Sequence, residues 1–358
     1  MPSLKEIKGR INSISSTLAI TSAMKMVAAA KLQKAQMAIQ NMLPYERRLH
    51  SMLLDLMGAM NISAAASEDG SVRGSGSAER GFDQSGDRLS LSNRHDLAGM
   101  DGAYSLMAQR EVRKVAIVAF ASNSSLCGAF NSNVIREATA VINEYRALGL
   151  GDADITVYSV GRKMAETMKK LGFPSPADFT KMSDSPSYEA ASALAQELLD
   201  GFVSGRFDKV ELVYNHYKST SSQPTTRQTY LPLSLADATA DLQAGKIADS
   251  ASESDTNRGA EPVGAPVVRQ GSPTTEDLIV EPSKEALIAT LLPKVIRLRI
   301  FTTLLDSTAA EQAARTVAMQ LATDNGNDLL QELTLEYNKG RQQKITSEIL
   351  DLVGGSMQ

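Results

Sequence analysis

The sequence predicts a two-part α/β protein. A central Rossmann-like α/β domain with a mainly parallel sheet is joined to an antiparallel coiled coil of the N- and C-terminal helices. Three observations carry this. Both chain ends hold long stretches with helical apolar spacing. The middle alternates β-branched apolar runs with helical ones, the pattern of a parallel sheet covered on both faces. Aromatic residues make up only 5% of the chain and there is no Trp, so Ala, Leu, Ile, Val and Met supply much of the apolar content and favour close helix-on-helix packing.

Residues 3–60 read as the first long helix. Ser3 stands where it would cap the helix, with Glu6 at the capping-box position. Leu4, Ile7, Ile11, Ile14 and Leu18 recur at intervals of 3 and 4, the seam of a coiled coil. The register resumes at Ala28, Leu32, Ala35, Ile39 and Met42, and is polar in between at Thr21 and Lys25. Ile20, Met24 and Val27 form a second stripe beside it. Pro44 predicts a kink or a local break. About 55 helical residues would span roughly 80 Å, so part of the helix must protrude from a small domain or be wrapped by something else. Through residue 58 this helix carries eight Lys and Arg against three acids, which suits an acidic partner. A solvated face with some cross-helix pairing would explain the same charges.

The chain divides into an N-terminal helix (1–61), a flexible insertion (62–110), a central α/β domain (111–236), a second flexible insertion (237–275) and a C-terminal helix (276–358). The two insertions are rich in Ser, Gly, Asp and Ala and have too few large apolar side chains to build a core. In the central domain, 112–121, 154–160, 210–214 and 229–235 read as strands, the last two as an edge hairpin. Residues 133–148, 162–171 and 188–202 read as helices between them. In the C-terminal zone Ser283 can cap a helix. Pro293 predicts a kink, and Ala309, Ala310, Ala313, Ala314 and Ala318 allow close backbone approach. Leu335, Ile345, Ile349 and Leu352 continue an apolar face, with Asn338 and Gln342 in the same register.

Composition narrows the chemistry. The chain has 37 bases and 41 acids among 358 residues, so there is no global field for nucleic acid. One Cys rules out a disulfide framework, and three scattered histidines make a His-rich metal site unexpected. No apolar run is long enough to cross a bilayer, and the first residues lack a signal-peptide core, so a soluble protein of a reducing compartment is expected. The best enzymatic candidate is the loop over 122–133, placed between strand and helix as phosphate-binding loops are. It has one glycine, no GxGxxG and no Gly-Lys-Ser/Thr, and a βα turn with capping side chains explains it more simply. Cys127 could be a nucleophile or core packing, His216 an acid/base group or an ordinary half-buried histidine. Gly161, Arg162 and Lys163 could hold an anion or simply open a helix.

Residues 20–36 (ITSAMKMVAAAKLQKAQ) resemble the N-terminal helix motif of the gamma subunits of F-type ATP synthases. Residues 318–326 (AMQLATDNG) and 333–349 (LTLEYNKGRQQKITSEI) are similar to that family's C-terminal signature, and 126–133 (LCGAFNSN) to its central loop. The resemblance covers everything but the two insertions. It implies a non-catalytic rotor without a cofactor of its own. The terminal helices would form a shaft inside the ring of alpha and beta subunits, and the α/β domain a foot with the epsilon subunit on the ring of membrane c subunits. Proton flow would turn the foot, and the asymmetric shaft would drive each beta site through different affinities. By motif match, Arg341 and Gln342 would meet the catch loop of a beta subunit, and Met24 and Lys25 would face the acidic lever loops of beta subunits. Tyr214, Lys218 and Gln223 would belong to the foot's contacts with the c ring and epsilon.

Some residues depart from the family pattern. Ser122, Asn123, Ser124 and Ser125 stand where the family usually has an acidic-Arg-Gly run. Gly340 replaces a more usual alanine, which loosens a helix by up to about 1 kcal/mol. The first insertion has no cysteine, so the thiol switch of chloroplast relatives is not expected. The absence of a transit peptide points to the cytoplasmic face of a bacterial inner membrane, with the subunit peripheral to it. Two other readings stay open on sequence alone: a Rossmann-like enzyme with a helical hairpin attached, and a scaffold whose coiled coil binds other partners.

Overall fold

The computed structural model describes residues 3–68, 106, 110–233, 281 and 283–355. Its elements run α1 (Leu4–Glu68), β1 (Val115–Phe120), α2 (Phe130–Ala147), β2 (Ile155–Val160), α3 (Arg162–Lys170), α4 (Thr180–Asp184), α5 (Tyr188–Val203), β3 (Lys209–Asn215), β4 (Thr225–Leu231) and α6 (Lys284–Gly355).

The sheet has the order β2-β1-β3-β4. β1 pairs in parallel with both β2 and β3, and β4 closes the edge antiparallel to β3. All six residues of β1 are buried, as expected of a strand covered on both faces. Its side chains alternate between two cores. Val115, Ile117 and Ala119 pack with Val134, Ala138 and Ile142 of α2 and Met164 and Met168 of α3. Ala116, Val118 and Phe120 face α5, through Leu194 and Leu198, and the root of the helical pair, through Leu53, Leu56, Leu292 and Ile296. The two terminal helices therefore complete the α/β domain at one end and leave it at the other.

Most predicted elements stand within a few residues of their expected ends. The edge strand begins four residues early, at Thr225. Its polar run Thr-Thr-Arg-Gln-Thr has no apolar alternation, and pairing with β3 supplies what local pattern lacks. The five-residue α4 and a 3-10 turn at Asp152–Asp154 were not foreseen. α1 runs to Glu68, past the start expected for the first insertion. Leu106 is buried in the core and its carbonyl accepts the Leu233 N–H at 3.1 Å, so the far end of that segment touches the domain. Apart from these residues and Arg110 the segments 62–110 and 237–275 lie outside the described ones.

α1 and α6 are antiparallel: Leu18 meets Gly326, Thr21 meets Thr323, Lys25 meets Gln320 and Glu46 meets Thr302. The α1 seam is as expected, since every residue named in its register from Leu4 to Met42 is buried or half-buried. Ser3 caps the helix by accepting the Glu6 N–H at 3.3 Å, while the Glu6 carboxylate turns to Arg10 and leaves the box half made. Ser283 caps α6 in the same way, accepting from Ala286 at 3.1 Å. The helices continue through Pro44 and Pro293, so neither proline ends its helix and the local break allowed at Pro44 does not occur. Pro44 faces outward, so its ring displaces no packed neighbour.

The C-terminal apolar face lies outward. Leu335 is 72% exposed and Leu352 74%, and Ile345 and Ile349 are also exposed. The residues turned toward α1 are Met319, Thr323, Gly326, Leu330, Leu333, Tyr337 and Gly340, which keep their own 4-3 spacing. Two heptad stripes run along α6. The one less uniformly apolar faces α1, because the small and polar side chains of its first turns fit the polar gap at Thr21 and Lys25.

Candidate functional site

Three features of the described residues could carry function: the crevice where nucleotides bind in open α/β sheets, the joint between domain and helical pair, and the free tip of that pair.

The crevice is expected beyond the carboxyl ends of β1 and β3, where connections leave the sheet in opposite directions. The loop after β1 folds on itself. Asn131 accepts the Ser122 N–H at 3.0 Å and donates to the carbonyl of Ser124 at 3.2 Å and to the Cys127 sulfur at 3.2 Å. The polar side chains thus tie the loop instead of capping α2, whose N-cap is Ala129 with no side-chain bond. α6 then fills the space in front. Arg315 donates to the Ser125 carbonyl at 3.0 Å, and Ala310 packs on Cys127 and Phe130. Cys127 is 1% exposed and lies in that small apolar cluster, where no reagent reaches it. The α3 N-terminus is also occupied: the Arg162 N–H binds Asn123 at 2.8 Å and the Lys163 N–H binds the Ser122 carbonyl at 3.2 Å. A crevice filled by the chain's own helix is a mechanical seat.

The joint is built of polar fasteners around small residues. Ala309 and Ala313 are fully buried against Leu32 and Ala35, which brings α1 and α6 close together beside the sheet. Glu311 and Arg315 form a buried ion pair at 2.5 Å on α6. Burial pushes the Glu311 carboxyl up, and Arg315 opposes that shift. Tyr217, just past β3, accepts a hydrogen bond from Gln36 of α1 at 2.6 Å through its hydroxyl. Its backbone N–H donates to Asp306 of α6 at 2.9 Å, and His216 Nδ1 lies 2.6 Å from the other Asp306 oxygen. Asn215 donates to the Phe130 carbonyl at 3.1 Å, which ties β3 to the first residue of α2. Sequence reasoning noticed His216 but not its partner, since 90 residues separate them.

At the tip, every residue from Arg341 to Val353 is exposed. α1 begins opposite Gly340, so α6 continues alone. Arg341 and Gln342 stand there, free of any tertiary element among the described residues. Met24 and Lys25 lie a few turns below. Lys25 reaches across to Gln320 at 2.6 Å, so it braces the pair as well as facing out, and Met24 is half-buried. Lys218 is exposed on the hairpin between β3 and β4, and Gln223 closes its turn by donating to the carbonyls of Ser219 and Thr220. Tyr214 differs: it is buried in the sheet core, at the base of the hairpin. Among the described residues no group of His, Cys, Asp and Glu could hold a metal, and no helix is long and apolar enough to cross a membrane.

Known proteins share this arrangement. A family model described as ATP synthase matches residues 3–357. The ATP synthase gamma chain of Phocaeicola vulgatus is 47% identical over the full length of both chains, and that of Bacteroides thetaiotaomicron 45%. Among solved structures, a chain of the Euglena gracilis mitochondrial ATP synthase (OSCP/F1/c-ring) has a TM-score of 0.54 at 18% identity, covering 99% of this chain and 93% of that one.

Proposed function

This chain belongs to the gamma-chain family of ATP synthases, a non-catalytic, central-stalk part of that complex, and from that premise we propose how it works. The helical pair is the shaft of a rotor, and the α/β domain is its foot. The foot is turned by a ring of c subunits, with the epsilon subunit beside it. The shaft stands inside a head of alpha and beta subunits at the cytoplasmic face of a bacterial inner membrane. Rotation presents a different side of an asymmetric rod to each beta subunit and shifts that subunit between conformations of different nucleotide affinity. The chain itself makes and breaks no bond.

The carrying observation is the combination of a full-length family match with a tip of α6 that no other element among the described residues covers. An exposed row holding Ile345, Ile349 and Leu352 is costly in water and is explained by a surrounding sleeve. Arg341 and Gln342 would touch a beta subunit near that tip, and Met24 and Lys25 lower down. Lys218 and Gln223 on the hairpin would serve the foot. The division into shaft arms at 1–61 and 276–358, a foot at 111–236 and polar insertions at 62–110 and 237–275 follows the same reading.

Co-purification tests it. A tagged chain expressed in its own cells should recover alpha, beta and epsilon subunits in stoichiometric amounts, and the isolated chain should bind no ATP. Recovery without alpha and beta, or tight stoichiometric nucleotide binding by the chain alone, contradicts the rotor.

A further inference from the structure

The joint between foot and shaft contains one fastener that can change its charge. The Asp306 carboxylate, on the shaft helix, holds two consecutive hairpin residues: one oxygen lies 2.6 Å from His216 Nδ1, the other accepts the Tyr217 N–H at 2.9 Å. Tyr217 continues the chain of contacts to α1 through Gln36 and packs against the cluster of Leu32, Ala35, Ala309 and Ala313. One carboxylate therefore bridges the foot to both arms of the shaft. The hairpin it grips is well formed. The His216 N–H donates to the Pro224 carbonyl at 2.9 Å, and Ser219 and Ser222 close the turn. The His216 side chain is 51% exposed, so protons reach it, whereas the Asp306 side chain is 17% exposed.

The charged groups facing His216 are Asp306 from α6 and Lys218 from the hairpin itself. α1 contributes the uncharged Gln36 through Tyr217. Further along α6, Glu311 is matched by Arg315, with Asp184 and Lys31 nearby.

We propose that His216 and Asp306 form a protonation-gated fastener that sets how firmly the β3–β4 hairpin is held on the shaft. With His216 cationic the ion pair clamps the hairpin. With His216 neutral, Asp306 keeps only uncharged donors and the hairpin loosens. The hydrogen bond to Asp306 raises the His216 pKa above its usual value, against burial and Lys218. The added stability is thus fully present below an ordinary histidine pKa of about 6.5 and is lost as pH rises through the raised value. Its consequence for rotation rests on the rotor reading; the fastener itself is a property of the chain alone.

The chain has three histidines, which makes a histidine-labelled NMR titration of the full chain readable. His216, assigned with H216Q, should titrate above about 6.5, and D306N should bring it back to that value or below. Deuterium exchange over residues 215–218, corrected for base catalysis, should then show wild-type protection falling several-fold across that titration. H216Q should lack the step, and H216K should keep protection at high pH. Equal pH dependence in wild type and H216Q, or a His216 titration unmoved by D306N, overturns the proposal. Failure to co-purify with the ATPase head would sink the rotor reading and leave these titrations untouched.

Discussion

At the residue scale, the most heavily committed side chain is Glu211, in the middle of β3 and only 1% exposed. A lone buried carboxylate would be costly, and here it is matched from three sides. Tyr145 donates to it at 2.7 Å, Lys209 lies at 2.7 Å, and Arg227 of β4 donates twice, at 2.7 and 3.1 Å, while also pairing with Glu144. Burial alone would push the Glu211 carboxyl up; hydrogen bonds from Arg227, Lys209 and Tyr145 outweigh it and hold the pKa below the usual value. A depressed folded pKa contributes stability above the unfolded carboxylate's pKa of about 4.3 and loses it as pH falls through the folded value. We expect Glu211→Gln to cost about 3 kcal/mol at neutral pH, because cations are left beside an uncharged buried amide. Denaturant unfolding should show a smaller difference between variant and wild type as pH falls toward 3. A constant difference would mean that packing, not charge, is at stake. Nothing in the sequence marked Glu211: it interrupts an apolar strand, and only the fold brings Tyr145 and Arg227 to it. Cys127, by contrast, was legible as either core or nucleophile, and its apolar neighbours decide for core. Cys127→Ala should lower stability by about 1 kcal/mol and leave ATP hydrolysis by the assembled complex unchanged.

At the scale of elements, glycines set the spacing. A Cβ on Gly161 would lie 2.0 Å from the Ala121 carbonyl oxygen, and its φ of +97° is one that only glycine adopts easily. β1 and the start of α3 pass too closely there for any side chain. Gly161→Ala should therefore destabilise the domain by more than about 3 kcal/mol or prevent its folding, which thermal unfolding would reveal. Gly326 and Gly340 lie in the shaft. A Cβ on Gly326 would come 2.6 Å from a Leu18 methyl and 3.1 Å from its Cγ, whereas one on Gly340 would approach Leu4 only to 3.1 Å. Alanine improves helix propensity by up to about 1 kcal/mol at each, and overpacking offsets it at Gly326. Circular dichroism melts should rank Gly340→Ala above Gly326→Ala in stability; the reverse order would show that Leu18 has room to move. The shaft helices were readable because their periodicity extends over many turns. Which stripe of α6 faces α1 was not, since two stripes share the heptad period and the more apolar one lies outward. The first half of β4 escaped for a related reason: residues Thr225 to Gln228 owe their strand to a neighbour.

At the scale of the molecule, one end of each long helix is buried in the α/β domain, and the paired helices leave that domain on the far side. The buried roots make the shaft part of the foot's own core, so turning one turns the other. The joint at Asp306, Tyr217, Glu311 and Arg315 fastens them a second time where the pair leaves the sheet. The crevice in which related α/β folds hold ligands is spent on this seat. The absence of nucleotide motifs in the loop over 122–133 was therefore readable from sequence, but its cause, a helix lodged against the loop, was not. The described residues after Ile345 are all exposed, so a chain truncated there should fold with an unchanged melting temperature while ATP-driven proton pumping by its complex falls; a lower melting temperature would show that the tip is part of the fold. The central claim is rotation, and single-molecule observation tests it directly. With the head of the purified complex fixed to a surface and a bead attached through an introduced cysteine at exposed Lys169 on the foot, in a Cys127→Ala background, ATP should drive the bead stepwise in one direction. A bead that stays still while the same complexes hydrolyse ATP would contradict the account.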